Sequence, residues 1–304
     1  MRTNRKYLNV FSVNIFCLIF GILFLTIGNS IQDKNFFLGT FITEVFILLI
    51  PSLIVVNLSG RAKSILNINK ISFTDLFLVI LVTILSYPII LLFNGIFLTL
   101  ISKFVEFNNF SMDLFTKSEI KKYFIFVCFL PSICEEFFFR GAVLSSYDIY
   151  GRKFAIFMSS FVFAISHFDI QNFIAPLLLG ILFSNMMELT GSIFAPITAH
   201  FTNNIIAIIF AKYLNDYFFK FLSATNFSRE IGSVEVFTIV VLTFASIISF
   251  FAIRYIFKYM NKKRKVSEIG KKYRSLRNIE LFSFIPIFAE IILYLVYNFQ
   301  IFRR

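Results

Sequence analysis

Residues 75–102 read DLFLVILVTILSYPIILLFNGIFLTLIS, 28 positions with a single charge, Asp75, at the very start. A helix crossing a bilayer needs about 20 apolar residues, and this run exceeds that. Eight further runs of similar character lie at about 9–28, 36–57, 123–147, 152–168, 170–189, 191–212, 234–257 and 280–300. The whole chain agrees: its 304 residues are 58% hydrophobic and 15% charged, with 46 Phe and a mean hydropathy of +0.82. Soluble domains average about 45–50% apolar and about 25% charged residues, and no soluble packing hides so much apolar surface behind so little polar cover. Soluble enzymes, disordered tails and nucleic-acid modules are thereby excluded. The fold class is all-α, a polytopic integral membrane bundle of about eight or nine transmembrane helices.

The rest of the composition fits that class. A net charge of +12 would suggest nucleic acid in a soluble protein, but in a membrane protein basic loops set topology and meet anionic headgroups. Cys17, Cys128 and Cys134 sit inside apolar runs without CxxC spacing, which speaks against a disulfide framework or a cysteine zinc site. The lack of Trp and the wealth of Phe, Ile, Asn and Lys point to an AT-rich genome and a bacterial cell membrane. The first run follows Arg2, Arg5 and Lys6 like a signal peptide, yet it is too long and lacks a clean cleavage site, so a retained helix is expected. No repeat, low-complexity tract or linker divides the chain, and all six Pro lie within spans, where they free backbone carbonyls. One membrane domain over 1–304 is the economical reading, with the chemistry concentrated in 120–212.

Ionisable groups inside spans are costly and are functional candidates by default. The fourth run carries Cys134-Glu135-Glu136-Phe137-Phe138-Phe139-Arg140, the fifth ends Phe163-Ala164-Ile165-Ser166-His167, and the seventh holds His200-Phe201-Thr202-Asn203-Asn204. These are the only two His of the chain. Glu136 and Arg140 are four apart, on one helix face, and can pair, while Glu135 projects about 100° away. His200 and Asn204 are likewise four apart. Counting about 1.5 Å per residue from the expected inner ends puts Glu135, His167 and His200 roughly 18, 22 and 14 Å deep, so three antiparallel neighbours bring them to similar levels. Glu44, Glu188 and Glu290 are further candidates without a partner at helical spacing.

Plainer readings stand beside these. Glu136–Arg140 can be a purely structural buried pair, and His200–Asn204 a hydrogen-bond clasp between helices. Phe163 is expected simply to pack beside His167. Cys134, next to Glu135, reads as a small buried hydrophobe rather than a nucleophile. Two His and two Glu could also supply zinc ligands, but HExxH is absent and the two His lie on different helices. A proton or ion relay in a transporter would use similar charges, without the paired broken helices of such proteins. A non-catalytic scaffold or immunity protein is the third alternative.

The ordered set Glu135-Glu136-x-x-x-Arg140, Phe163-x-x-x-His167 and His200-x-x-x-Asn204 resembles the CPBP family of intramembrane glutamic endopeptidases. That family includes type II CAAX prenyl endopeptidases and bacterial bacteriocin-processing and self-immunity ("Abi") proteins. The likeness runs from Glu135 to Asn204; elsewhere it is one of hydropathy. The resemblance implies a metal-independent endopeptidase without cofactor, in which Glu135 is the general base on water, helped by His167. It makes Glu136 and Arg140 bracing and electrostatic groups, and gives His200 and Asn204 the scissile carbonyl and its oxyanion. Such roles are physically coherent, since a carboxylate removed from water is a stronger base and preorganised donors stabilise a tetrahedral intermediate strongly in a low dielectric. The implied substrate is a peptide or a membrane-protein segment, in peptide maturation or bacteriocin self-immunity. The bilayer, with anionic headgroups at the basic loops, is the other expected partner, and nucleic acid is not one.

With nine spans and the N-terminus inside, 19 of the 29 basic residues fall on the cytoplasmic side, nine of them between Lys258 and Arg277. The positive-inside rule therefore sets the loop after the eighth span in the cytoplasm. Cysteine labelling of that loop in intact cells should fail until the membrane is permeabilised; labelling from outside would invert the topology.

Overall fold

The computed structural model describes residues 8–102, 104, 120–210, 234–267 and 280–299. Arg2, Arg5 and Lys6, the basic positions from 268 to 277, and the chain end with Arg303 and Arg304 lie outside the described residues. Among the described residues there is no strand, and helices fall on each of the nine apolar runs. In chain order they are α1 (Val10–Gln32), α2 (Phe36–Leu58), α3 (Phe73–Ile101), α4 (120–147), α5 (Arg152–Ile165), α6 (Ile174–Thr190), α7 (Phe194–Ile209), α8 (Val234–Ser267) and α9 (Ile285–Phe299). The protein is a multi-pass integral membrane protein of the all-α class.

Local chemistry accounts for the helix ends. Asn9 and Asn35 accept the N–H groups of Ser12 and Leu38 and so cap α1 and α2. Ser72 caps α3 by accepting the Asp75 N–H, and its hydroxyl donates to the Asp75 carboxylate at 2.6 Å. Lys263, near the end of α8, closes on the same carboxylate at 2.9 Å, which joins the start of α3 to the end of α8 at one end of the bundle. Gly191, at φ +66°, ends α6 in the left-handed conformation, which glycine adopts at no steric cost.

Helix length departs from the expectation in the centre of the chain. α1, α2, α3 and α8 hold stretches long and apolar enough to cross a membrane, and α9 does so together with the 3₁₀ turn Leu281–Phe284 that leads into it. By contrast α5, α6 and α7 have 14, 17 and 16 residues. At about 1.5 Å per residue they are roughly 21–26 Å long, short of a hydrocarbon core of about 30 Å. α5 in particular stops at Ile165 instead of running to 168, so His167 sits in a turn rather than inside a helix.

The backbone also widens where the polar residues lie. α4 is π-helical over Phe124–Phe129 and Phe137–Val143, and α2 over Ile42–Leu49. Pro131 follows the first of these and Pro51 the last. A proline clashes with the carbonyl four residues back and returns no N–H to it, and a wider turn relieves both defects. The segment Phe137–Val143 contains Arg140, and the segment Ile42–Leu49 contains Glu44.

Two apolar clusters make the core. One gathers residues of α1, α2, α4, α5 and α9, among them Cys17, Leu48, Phe139, Phe163 and Ile287; the other gathers α3, α6, α7 and α8 through Val79, Phe183, Ala199 and Met260. Outside them a belt of Ile, Leu and Phe faces away from the protein, including Phe244, Ile248, Phe288 and Ile292, as a lipid-facing surface should.

α5 and α6 are in close contact where Gly180 meets Ser160: a Cβ on Gly180 would lie 2.8 Å from the Ser160 Cβ and 2.9 Å from its Cα. Small residues permit such contacts between membrane helices. Gly180→Ala should therefore force these helices apart and lower stability by about 1–3 kcal/mol, the range for overpacking, read as earlier thermal unfolding in detergent.

Candidate active site

The site begins with a charge that has no route to water. Arg140 and Glu136 are both fully buried, one helical turn apart on α4, with Nη1 3.0 Å from Oε1. The guanidinium face is covered by three rings, Phe163 at 4.5 Å, Phe183 at 5.3 Å and Phe139 at 5.9 Å. Phe139 and Phe163 belong to one apolar cluster and Phe183 to the other, so Arg140 stands on the seam between the two halves of the core. The cation–π contacts take the place of hydrogen bonds at Nε and Nη2, which have none among the described residues. Phe163 thus does more than pack beside His167: its ring also meets His167 and His200 edge-on, with centroids 4.9 and 5.9 Å away.

From α7, His200 completes the pair. Its Nδ1 lies 2.9 Å from the same Glu136 Oε1, and Phe183 stacks on its ring at 5.3 Å. The Arg140 cation keeps Glu136 an acceptor, so His200 Nδ1 is the donor in this bond. The other nitrogen, Nε2, then points to Glu135 and stands 4.0 Å from Oε2, beyond hydrogen-bond range.

His167 is oriented by the end of its own helix. Ser166 N–H still reaches the Val162 carbonyl, but the His167 and Phe168 N–H groups turn to Ala164 and Ile165, three residues back. The Phe163 carbonyl loses its helical donor, one of the orphans at any helix end, and His167 Nδ1 takes it at 2.7 Å. A carbonyl only accepts, so Nδ1 carries the hydrogen and Nε2 keeps a free lone pair. That arrangement needs the four-residue spacing of Phe163 and His167.

Glu135 and His167 line one cavity of about 120 Å³, together with Thr43, Glu44 and Gln32 from the first two helices and Ser166 beside the histidine. It has room for several water molecules. Of the four residues expected to converge, Glu135 and His167 border this space, His200 stands next to Glu135, and Asn204 is not among the lining residues. Asn204 instead donates its amide to the Val127 carbonyl at 2.9 Å, the group that Pro131, four residues on, cannot serve. A second amide, Asn203, donates to the Asn204 Oδ1 at 3.2 Å.

Of the lesser candidates, Glu44 joins the cavity, although nothing in its own helix announces a partner. Its position inside a span was the available signal, and the groups it faces come from α4 and the turn after α5. Glu290 is fully buried and accepts from Ser166 Oγ at 3.4 Å. Glu188 lies elsewhere, 2.6 Å from Arg152 Nε. Cys134 is a free, buried cysteine. Among the described residues, no group of three or more His, Cys, Asp or Glu could hold a metal ion.

Comparison with known proteins agrees with the motifs. Residues 118–206 match the family model described as Type II CAAX prenyl endopeptidase Rce1-like, a stretch that begins at the edge of α4 and ends in α7. The match supports assignment to the CPBP/CAAX protease family. No curated protein and no solved structure matches the chain.

The buried pair generates a double-mutant test. Glu136→Gln leaves Arg140 without its counter-charge and should cost roughly 3–5 kcal/mol of stability. Neutralising Arg140 as well should recover part of that loss in unfolding experiments, which independent sites would not do.

Proposed function

We propose that this member of the CPBP/CAAX protease family is a metal-independent glutamic-type intramembrane endopeptidase, hydrolysing a peptide bond with water activated by Glu135 and His167. The observation that carries the reading is the shared cavity of these two side chains, with His167 Nε2 left as a free acceptor by the bond from Nδ1 to Phe163. A water between them can donate one hydrogen to the Glu135 carboxylate and the other to that nitrogen, leaving an oxygen lone pair for the scissile carbonyl. Attack forms the C–O bond as Glu135 takes the proton. Collapse of the tetrahedral intermediate breaks the C–N bond, and Glu135 returns the proton to the departing amine.

The developing oxyanion needs donors. His200, held by Glu136 through Nδ1, presents Nε2 beside Glu135 and donates from it when the ring carries both protons. The Asn204 amide has a second N–H beyond the one on Val127 and is the further candidate donor. Glu136 and Arg140 fix His200 from behind and supply a compensated charge in a low dielectric, where oriented groups act strongly. The substrate in this reading is a peptide or membrane-protein segment, cleaved in peptide maturation or bacteriocin self-immunity in a bacterial cell membrane, with anionic headgroups contacting the basic loops.

Glu135→Gln keeps size and hydrogen-bonding shape while removing the base. In proteoliposomes supplied with candidate peptides, its turnover should fall by about 10²–10⁴-fold with insertion and thermal unfolding unchanged. Near-normal cleavage of a verified substrate by this variant overturns the reading, and activity that falls only in step with protein yield favours the non-catalytic scaffold.

A further inference from the structure

The turn that carries His167 is secured from outside the matched stretch. On α9, Glu290, Tyr294 and Asn298 follow at four-residue intervals and form one buried stripe. Each meets the segment 166–170. Glu290 accepts from Ser166 Oγ at 3.4 Å, and the Asn298 Oδ1 accepts the Ile170 N–H at 2.9 Å. Asn298 Nδ2 donates to the Tyr294 carbonyl at 2.8 Å and to the Phe168 carbonyl at 3.4 Å. The Phe168 ring lies against Phe24, Tyr294 and Tyr297.

Phe168 has φ +50°. A bulky residue in the left-handed region is uncommon and persists only where its surroundings over-determine it. Here α9 grips the peptide on both sides of it, and α1 leaves space for its ring at Gly21, where a Cβ would fall 2.7 Å from Phe168 Cζ. The conformation has a chemical consequence one residue earlier. The turn holds Ser166 at ψ −11°, short of the helical value; were it released and α5 continued through it, the His167 N–H would return to the Phe163 carbonyl, and the ring Nδ1 would lose its acceptor. His167 would then hold neither a fixed orientation nor a fixed tautomer.

We infer that Asn298 is a positioning residue that, through the left-handed turn at Phe168, fixes the orientation and tautomer of His167. The inference rests on the proposed role of His167 for its effect on catalysis, but not for its effect on the ring. Because the chain has only two His, ¹⁵N-histidine spectra of the full protein in nanodiscs contain two rings to assign. Asn298→Ala should displace or broaden the His167 signals, leave those of His200 in place, and lower kcat at least tenfold with KM little changed. Gly21→Ala reaches the same turn from α1 and should produce the same spectral change, and it decides the matter if Asn298→Ala does not fold. Leu295→Ala, on the exposed face of α9, should alter neither spectrum nor kcat. Folded Asn298→Ala and Gly21→Ala proteins with an unshifted His167 ring would overturn the inference. A wild-type protein that cleaves no substrate, yet shows the displaced His167 signal in Asn298→Ala, would instead remove the proposed reaction and leave the positioning intact.

Discussion

A guanidinium with no exposed surface, deep in an apolar bundle, is the constraint around which the centre of this molecule is built. Arg140 cannot be deprotonated under any ordinary condition, so its charge has to be answered where it stands. Glu136 answers it within the same helix, and rings from three helices cover its faces. The aromatic cover comes from both apolar clusters, which means that the halves of the core can close only with the charge between them. His200 is recruited to the remaining capacity of the same carboxylate oxygen. A buried ion pair is weak evidence for stability, but this one dictates where α4, α5, α6 and α7 must meet.

The backbone defects form a second level of the same design. Pro131 leaves a carbonyl without its helical donor, and an asparagine from α7 supplies the missing hydrogen. The end of α5 leaves another, and His167 supplies it. In both cases a polar side chain in the matched stretch is oriented by an unpaired main-chain group, in surroundings where such a group finds no water. Structural satisfaction and chemical readiness are then properties of one bond, because the donor nitrogen of His167 determines which nitrogen is left to accept.

Much of this was legible in the chain. Apolar length located the nine helices, and helical spacing alone paired Glu136 with Arg140. Three short motifs, each uninformative singly, pointed to the family that the sequence comparison also found. What spacing could not supply was any relation between helices. The bond from His200 to Glu136, the place of Glu44 beside Glu135, and the use of Asn204 on Val127 all depend on packing across segments far apart in sequence. The turn at His167 was hidden for a different reason. Neither Gly, Pro nor Asn marks the end of α5, and a phenylalanine takes the left-handed position because α9 holds it there, so no local signal existed to be read.

The walls of the small chamber beside Glu135 have a divided origin. Six of its ten lining residues, from Phe20 to Leu48, belong to α1 and α2, and only Glu135, Phe139, Ser166 and His167 come from the stretch that matches the family model. The acid and imidazole and most of the space they face therefore come from separate parts of the chain. A chain with the same three motifs beneath a different pair of opening helices would retain its acid and its imidazoles while admitting guests of another shape. Divergence among such proteins should be written first in the helices that carry no motif at all.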